Sequence, residues 1–306
     1  MHLTFCGCRG STPVSGAEYA RYGTATSCVA VAPEPGSLPN LVLDAGTGFI
    51  NLKRVLVDRP LTASLLISHL HWDHTHGLPF LRMAAMPGHR LDIRIPAQGA
   101  DAEDVMNRAF SPPHFPVPIS VLGESWTLEG IEPGTYELDG YRILAQEIPH
   151  KGSRTFGYRV EDATSSIAYL PDHKPLGLGP GPDGLGEYHP AALALAEGVD
   201  LLIHDSQHTA AEMPALAFLG HSAVEYSLAL GAVAGAKRVA LFHHDPQRSD
   251  DQIDAIVEDV RARARVPYFA VREGMELTLP HGDPSAPLWG TNGRDARVRA
   301  PEARPG

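Results

Sequence analysis

Four residues with metal-binding side chains crowd into six positions of the stretch Ser68-His69-Leu70-His71-Trp72-Asp73-His74. Imidazole and carboxylate together suit a borderline divalent ion such as Zn²⁺ or Mn²⁺. His69, His71 and Asp73 recur at period two, so in extended backbone their side chains share one face. On a helix the same spacing would scatter them. His74, beside Asp73, points elsewhere, so a short extended loop would offer two donors to one ion and two to a neighbour. A polar loop in which histidines merely fill space is the bland alternative. So dense a donor run at the end of an apolar strand argues against it.

Four donors do not complete two sites. Further residues sit where predicted strands end: His150 after 141–148, Asp172 after 168–171, and the pair His243 and His244 after 239–242. Singly, each reads as a polar residue at a strand-to-loop junction. Together with the first run, and counting one of that pair, they form a seven-ligand set within a chain that carries 16 histidines.

The elements that must position these donors are short. Strands are predicted at 3–6, 26–32, 41–43 and 65–68, each apolar or β-branched and bounded by Gly, Pro or Asn. Asp44-Ala45-Gly46-Thr47-Gly48 is a glycine-rich turn into a helix near 49–57. The stretch 111–118, SPPHFPVP, cannot be a helix or a central strand and reads as a stiff loop. Strands follow at 122–129, 135–138, 141–148, 156–160 and 166–170, and then a glycine- and proline-rich loop at 174–190. Helices are predicted at 190–197, at 222–234 with Ser222 and Glu225 as a capping box, and at 249–264 capped by Ser249 or Asp250. Strands at 201–204 and 239–242 alternate with them. This order predicts an α/β (α+β) protein of two sheets with helices outside, and not a doubly wound parallel sheet. No G-x-G-x-x-G opens a helix after the first strand, so a dinucleotide is a weak reading. After residue 281 the composition turns to Pro, Gly, Arg and Asp, which predicts a mobile tail over 281–306.

Composition narrows the function classes. The 306 residues are 43% hydrophobic and 20% charged, ordinary globular usage with room for a sizeable core. A net charge of −11 is a poor prior for gripping long nucleic acid through its phosphates. Cys6, Cys8 and Cys28 make no disulfide framework; they read as buried structural thiols in a reducing compartment. The opening MHLTFCGCRG lacks a basic segment followed by a long apolar one, and no apolar run is long enough to span a membrane. The expected place is the cytoplasm, with no membrane partner. Assembly into a homo-oligomer is left open.

His69-x-His71-x-Asp73-His74, with His150, Asp172 and His243 downstream, resembles the metallo-β-lactamase superfamily, and the resemblance runs from Leu3 to about Leu279. It implies a four-layer αββα sandwich over residues 1–280 with two divalent ions at one edge, Zn²⁺ first, Mn²⁺ or Fe²⁺ as alternatives. Carried over by position, His69, His71 and His150 would hold one ion and Asp73, His74 and His243 the second, with Asp172 bridging. Asp44 would orient the ligand loop. The resemblance favours His243, the first histidine after its strand, as the ligand and leaves His244 as a candidate supporting residue behind it.

Within the superfamily, Phe5-Cys6-Gly7-Cys8-Arg9-Gly10-Ser11, the Phe156-Gly157-Tyr158-Arg159 that follows His150, Gly220-His221-Ser222 and Leu241-Phe242-His243 resemble the branch of ribonuclease Z and the phosphonate-pathway cyclic phosphodiesterase. That branch implies hydrolysis of a phosphodiester by water activated between the ions. Asp73 and His221 would be catalytic, His221 as proton donor or phosphate contact. Lys151, Arg154 and His114 are candidate substrate contacts, with the 111–118 loop as a wall. No long glycine-rich insertion matches the tRNA-gripping arm of ribonuclease Z, so a small or cyclic nucleotide diester is favoured over long RNA. Lactone or thioester hydrolysis at the same centre is the alternative. A di-iron sensor or a non-catalytic metal scaffold ranks lower.

Overall fold

The computed structural model describes residues 1–82, 86–123 and 125–280. The proposed tail, 281–306, lies outside the described residues. Fourteen strands among them form two sheets. The first contains β1 (His2–Gly7), β2 (Cys28–Ala32), β3 (Leu41–Leu43), β4 (Thr62–Leu66), β5 (Arg90–Pro96), β6 (Trp126–Ile131) and, at its far edge, β14 (Glu276–Thr278). The second contains β7 (Gly134–Leu138), β8 (Tyr141–Ile148), β9 (Thr155–Glu161), β10 (Ser166–Leu170), β11 (Leu201–Asp205), β12 (Val239–Phe242) and β13 (Tyr268–Ala270). Their orders are β14-β1-β2-β3-β4-β5-β6 and β13-β12-β11-β10-β9-β8-β7.

Each sheet is half antiparallel and half parallel, and the parallel half positions the site. In the first sheet β3, β4, β5 and β6 run parallel. In the second, β10, β11, β12 and β13 do. Parallel strands are buried on both faces and read as continuous apolar runs, which is how 201–204 and 239–242 read in the sequence. Alternation then splits each strand between layers: Ile167 and Tyr169 of β10 face the other sheet, while Ala168 and Leu170 face helices.

Three apolar layers result. Leu3, Phe5, Val29 and Leu43 meet Phe156, Tyr158, Ile203 and Phe242 between the sheets. Outside the first sheet pack α1 (Leu52–Leu56) and α3 (Ala102–Asn107), through Leu52, Leu56, Val105 and Met106. Outside the second pack α4 (Pro190–Ala196), α6 (Val224–Val233) and α7 (Asp250–Asp259), through Leu195, Leu230 and Ile253. The architecture is the expected αββα sandwich. Cys6, Cys8 and Cys28 are free and buried within it.

Three local expectations are corrected. The strand expected at 122–129 begins only at Trp126, because Asn107 Oδ1 accepts from the Ile119 N–H (2.8 Å) and draws 119–121 into a 3-10 turn. Helix α6 begins at Val224, not at Ser222. Ser222 Oγ donates to the Asp205 carbonyl (2.7 Å), and Glu225 accepts from the Ala210 N–H (2.8 Å), so both side chains serve a neighbouring loop and not the helix end. Ser249, by contrast, caps α7 in a full capping box with Gln252. The third correction falls on the metal-binding loop. Only its first part is extended; Trp72–Thr75 form one helical turn, α2, with His71 as N-cap. Asp73 and His74 therefore diverge by the helical step of about 100°.

Candidate metal centre

The donors gather at the carboxyl ends of the parallel strands, the edge of an α/β sheet where ligands bind. Asp44 follows β3, His69 follows β4, Asp172 follows β10, Asp205 closes β11 and His243 follows β12. The ligand loop is pressed onto the turn after β3. Gly46 lies so close beneath it that an added Cβ would stand 2.0 Å from the Asp73 carbonyl oxygen. Asp44, itself at a left-handed φ of 60°, accepts from the Ser68 N–H (2.6 Å), Ser68 Oγ (2.8 Å), His74 Nδ1 (2.7 Å) and Tyr169 Oη (2.8 Å). One buried carboxylate thus ties the loop to both sheets.

These bonds also decide which face each imidazole presents. Asp44 takes the Nδ1–H of His74, leaving Nε2 toward Asp172 Oδ2 (2.9 Å) and Asp73 Oδ2 (3.2 Å). His69 Nδ1 stands 3.1 Å from Ser68 Oγ, whose own hydrogen goes to Asp44. The Gly220 carbonyl takes the Nδ1–H of His150 (2.8 Å), turning its Nε2 toward His71 Nδ1 (3.4 Å) and Asp172 Oδ1 (3.5 Å). His243 Nε2 lies 3.1 Å from Asp73 Oδ2 and 3.3 Å from Asp172 Oδ2. Donor atoms within 4.8 Å of one another define the groups His69–His71–His150, Asp73–His74–His243, His69–His74–Asp172 and Asp172–Asp205–His221–His243.

Buried His69 Nε2 has no hydrogen-bond partner, and His74 Nε2 and Asp172 Oδ2 face each other at 2.9 Å without a well-formed hydrogen bond. Leaving such atoms unsatisfied is costly, and a divalent cation is the group that would satisfy all three at once. Burial holds His69 and His71 below the ordinary imidazole pKa, and His150 down to about 4, so their nitrogens offer lone pairs. For Asp172 burial pulls the other way, but His243, His74 and His69 outweigh it and keep the carboxyl ionised. Asp73 is likewise held down, against its burial, by His74 and His243. The residues present fit divalent metal.

Beside the donors stands a pair of another kind. His221 Nδ1 lies 3.1 Å from Asp205 Oδ2 and 3.3 Å from Asp172 Oδ1. Asp205 is held in turn by the N–H groups of His173 (3.1 Å), Ser222 (3.2 Å) and Gln207 (3.0 Å). Burial opposes charge on His221, yet Asp205 and then Asp172 raise its pKa to about 9. The sequence reading overlooked Asp205, although a carboxylate closing an apolar strand, as Asp172 follows one, was a signal. It also overlooked Ser11, whose N–H donates to Asp73 Oδ2 (2.7 Å).

The other candidates lie elsewhere. His244 turns away from the cleft: its Nε2–H donates to the Val271 carbonyl (2.9 Å) and its ring meets the Tyr22 edge-on. Lys151 Nζ donates to the Phe218 carbonyl (3.2 Å). Arg154 is held by the Ala97 carbonyl, Glu147 and Glu132. His114 is exposed and does not line the cleft, and Phe115 packs on Phe80 and Phe110 instead of walling it.

The Beta-lactamase superfamily domain matches residues 39–244, and the chain belongs to that superfamily. Among relatives, ribonuclease Z of Exiguobacterium sibiricum is 25% identical over 229 residues, covering 62% of this chain and 73% of that protein. Two solved structures share the fold. One is the metallo-beta-lactamase fold protein YhfI from Bacillus subtilis, with TM-score 0.66 and 18% identity over 90% of this chain and 98% of that one. The other is a diphosphatase from the PhnP family, with TM-score 0.65 and 17% identity over 90% and 97%. This is the branch that the sequence motifs resemble. No helix among the described residues is long and apolar enough to cross a membrane.

Proposed function

We propose that the protein is a dinuclear metal-dependent phosphodiesterase acting on small, nucleotide-type diesters. The observation that carries this reading is the His221–Asp205 pair set against the donor clusters. A diester needs an acid for its departing alkoxide, and the pair supplies one within the same cleft. His69, His71 and His150 would hold one ion and Asp73, His74 and His243 the other, with Asp172 between them, since its two oxygens face different halves of the set. Nitrogen-rich donors of this kind favour Zn²⁺, with Mn²⁺ or Fe²⁺ as substitutes. When bound, such ions polarise phosphoryl oxygens and bring the pKa of water toward neutrality.

The protein's own residues do the rest. The Ser11 N–H holds the Asp73 carboxylate in place, and Asp44 fixes the loop that carries Asp73. Asp205 accepts the Nδ1–H of His221, so proton delivery falls to Nε2 of that ring. The backbone N–H groups of His173, Gln207 and Ser222 keep the Asp205 carboxylate from turning, which aims His221. A cleft of about 420 Å³ suits a small molecule more than a folded RNA, in line with the net charge of −11.

The test is hydrolysis of bis(p-nitrophenyl) phosphate by protein stripped with chelator and reloaded with Zn²⁺ or Mn²⁺, beside a lactone and a thioester. Metal-restored diester turnover is expected, and His221→Asn lowers kcat by about 10² to 10⁴-fold with metal content kept. Turnover confined to the lactone or thioester would replace this reading by acyl hydrolysis.

A further inference from the structure

Trp72 is 68% exposed, a large aromatic surface left in water at the lip of the cleft. Single exposed apolar residues are common and need no explanation. This one differs in three respects. It is the first residue of α2, between His71 and Asp73, so the loop that presents the donors also fixes its backbone. Its indole is already stacked on the His76 ring, centroids 5.1 Å apart and planes 18° from parallel, which holds it as a rigid plate. And it borders the same cleft as Asp172 and His221, with Leu70 and Leu219 completing an apolar wall.

The charges point the same way. Among the described residues no lysine or arginine lines the cleft. Of the cations close to it in sequence, Lys151 donates to the Phe218 carbonyl, Arg9 to buried Asp250, and Arg154 to Glu132 and Glu147. A substrate with a second phosphate, or a long polyanion, would find no cationic side chain on this wall. One diester charge can be met at the donor cluster, and whatever lies beside it meets indole and leucine.

We infer that Trp72 is a stacking platform for a flat, uncharged ring carried on one ester arm of a singly charged diester, which makes the substrate a nucleoside diester and Trp72 a determinant of its specificity. This rests on the phosphodiesterase reading above and narrows it. Every base has a π-face, so stacking selects for the presence of a base more than for its identity.

The test compares adenosine 2′,3′-cyclic phosphate with the methyl riboside of the same cyclic diester, which lacks the base, on metal-loaded wild type, Trp72→Ala and Trp72→Phe. Wild type is expected to favour the adenosine diester by about 5- to 150-fold in KM, the range that losing one stacking ring gives. Trp72→Ala should erase that preference, and Trp72→Phe should keep most of it. A preference that survives Trp72→Ala, or none in wild type, would overturn the platform while leaving the diesterase reading intact. Calorimetric titration of the same two diesters reads the preference without turnover. If neither is hydrolysed, a Trp72-dependent difference in affinity still supports the platform, and binding of neither rejects it.

Discussion

The two halves of the donor set are built in opposite ways. The loop half, His69 to His74, is contiguous: one turn of chain, pinned from below by a single carboxylate, Asp44. The strand-end half, His150, Asp172 and His243 with the Asp205–His221 pair beside them, comes from segments far apart in the chain. Asp172, Asp205 and His243 meet because β10, β11 and β12 pair in parallel, Leu170 opposite His204 and Asp205 opposite Phe242. A contiguous cluster can be recognised from spacing but leans on a buried carboxylate outside it. A dispersed cluster shows in the sequence only as single polar residues at strand ends; register places each member and a buried core maintains it.

Removing the member that joins the halves should have the largest effect. Asp172→Asn keeps the shape but loses the charge that faces His74, His243 and His150. We expect metal content to fall and kcat/KM to drop roughly 10³-fold or more, read by metal analysis and diester turnover. Unchanged metal content would mean that the halves bind independently.

Undermining the loop alone should cost less. Asp44→Asn replaces an acceptor of four hydrogen bonds with a group that also donates, and metal affinity should weaken by about 10- to 100-fold in a chelator competition. An affinity equal to wild type would show that the helical turn of α2 supports the loop without Asp44.

The smallest effect concerns two neighbours with opposite allegiances. His243 faces the donors, whereas His244 is buried behind them, its pKa lowered to about 3 first by burial and then by Arg9 and Arg248, against the bond to Val271. The unfolded chain binds this proton below about pH 6.5, and the folded one does not until about pH 3. The contribution to stability is therefore complete above pH 6.5 and lost as pH falls, by about 1.4 kcal/mol per unit for one full proton. His244→Gln can still donate to the Val271 carbonyl but does not titrate, so its urea midpoint between pH 6 and 4.5 should fall less steeply. An identical slope would remove His244 from the account.

Legibility followed the same divide. The donor run at 69–74 and the strand ends at 150, 172 and 243 could be read because charged or imidazole residues closing apolar runs are conspicuous. Asp205 closes such a run too, a signal passed over because no superfamily motif position falls on it. Ser222 and Glu225 matched a capping box in spacing. They failed as one because the loop after β11 competes for both side chains, and a local pattern does not show its tertiary rivals. The extended reading of the donor loop failed for a related reason. Period two places His69, His71 and Asp73 on one face, but the His71 N-cap geometry starts a helix there.

By itself the sequence pointed to two sheets with helices outside, through apolar runs of strand length separated by helical ones; the αββα class and the choice of seven candidate donors came from the resemblance of the 69–74 motif and its downstream residues to the superfamily. Only the tertiary structure decided which nitrogen each imidazole presents, because that depends on acceptors such as Asp44 and Gly220 that lie far away along the chain. It also decided that His243 and not His244 faces the cleft, since the backbone at His243 adopts a left-handed φ of 60° that turns the two rings apart. Spacing along a chain reports which chemistry is available; the direction of a side chain is set by the partners that packing brings to it.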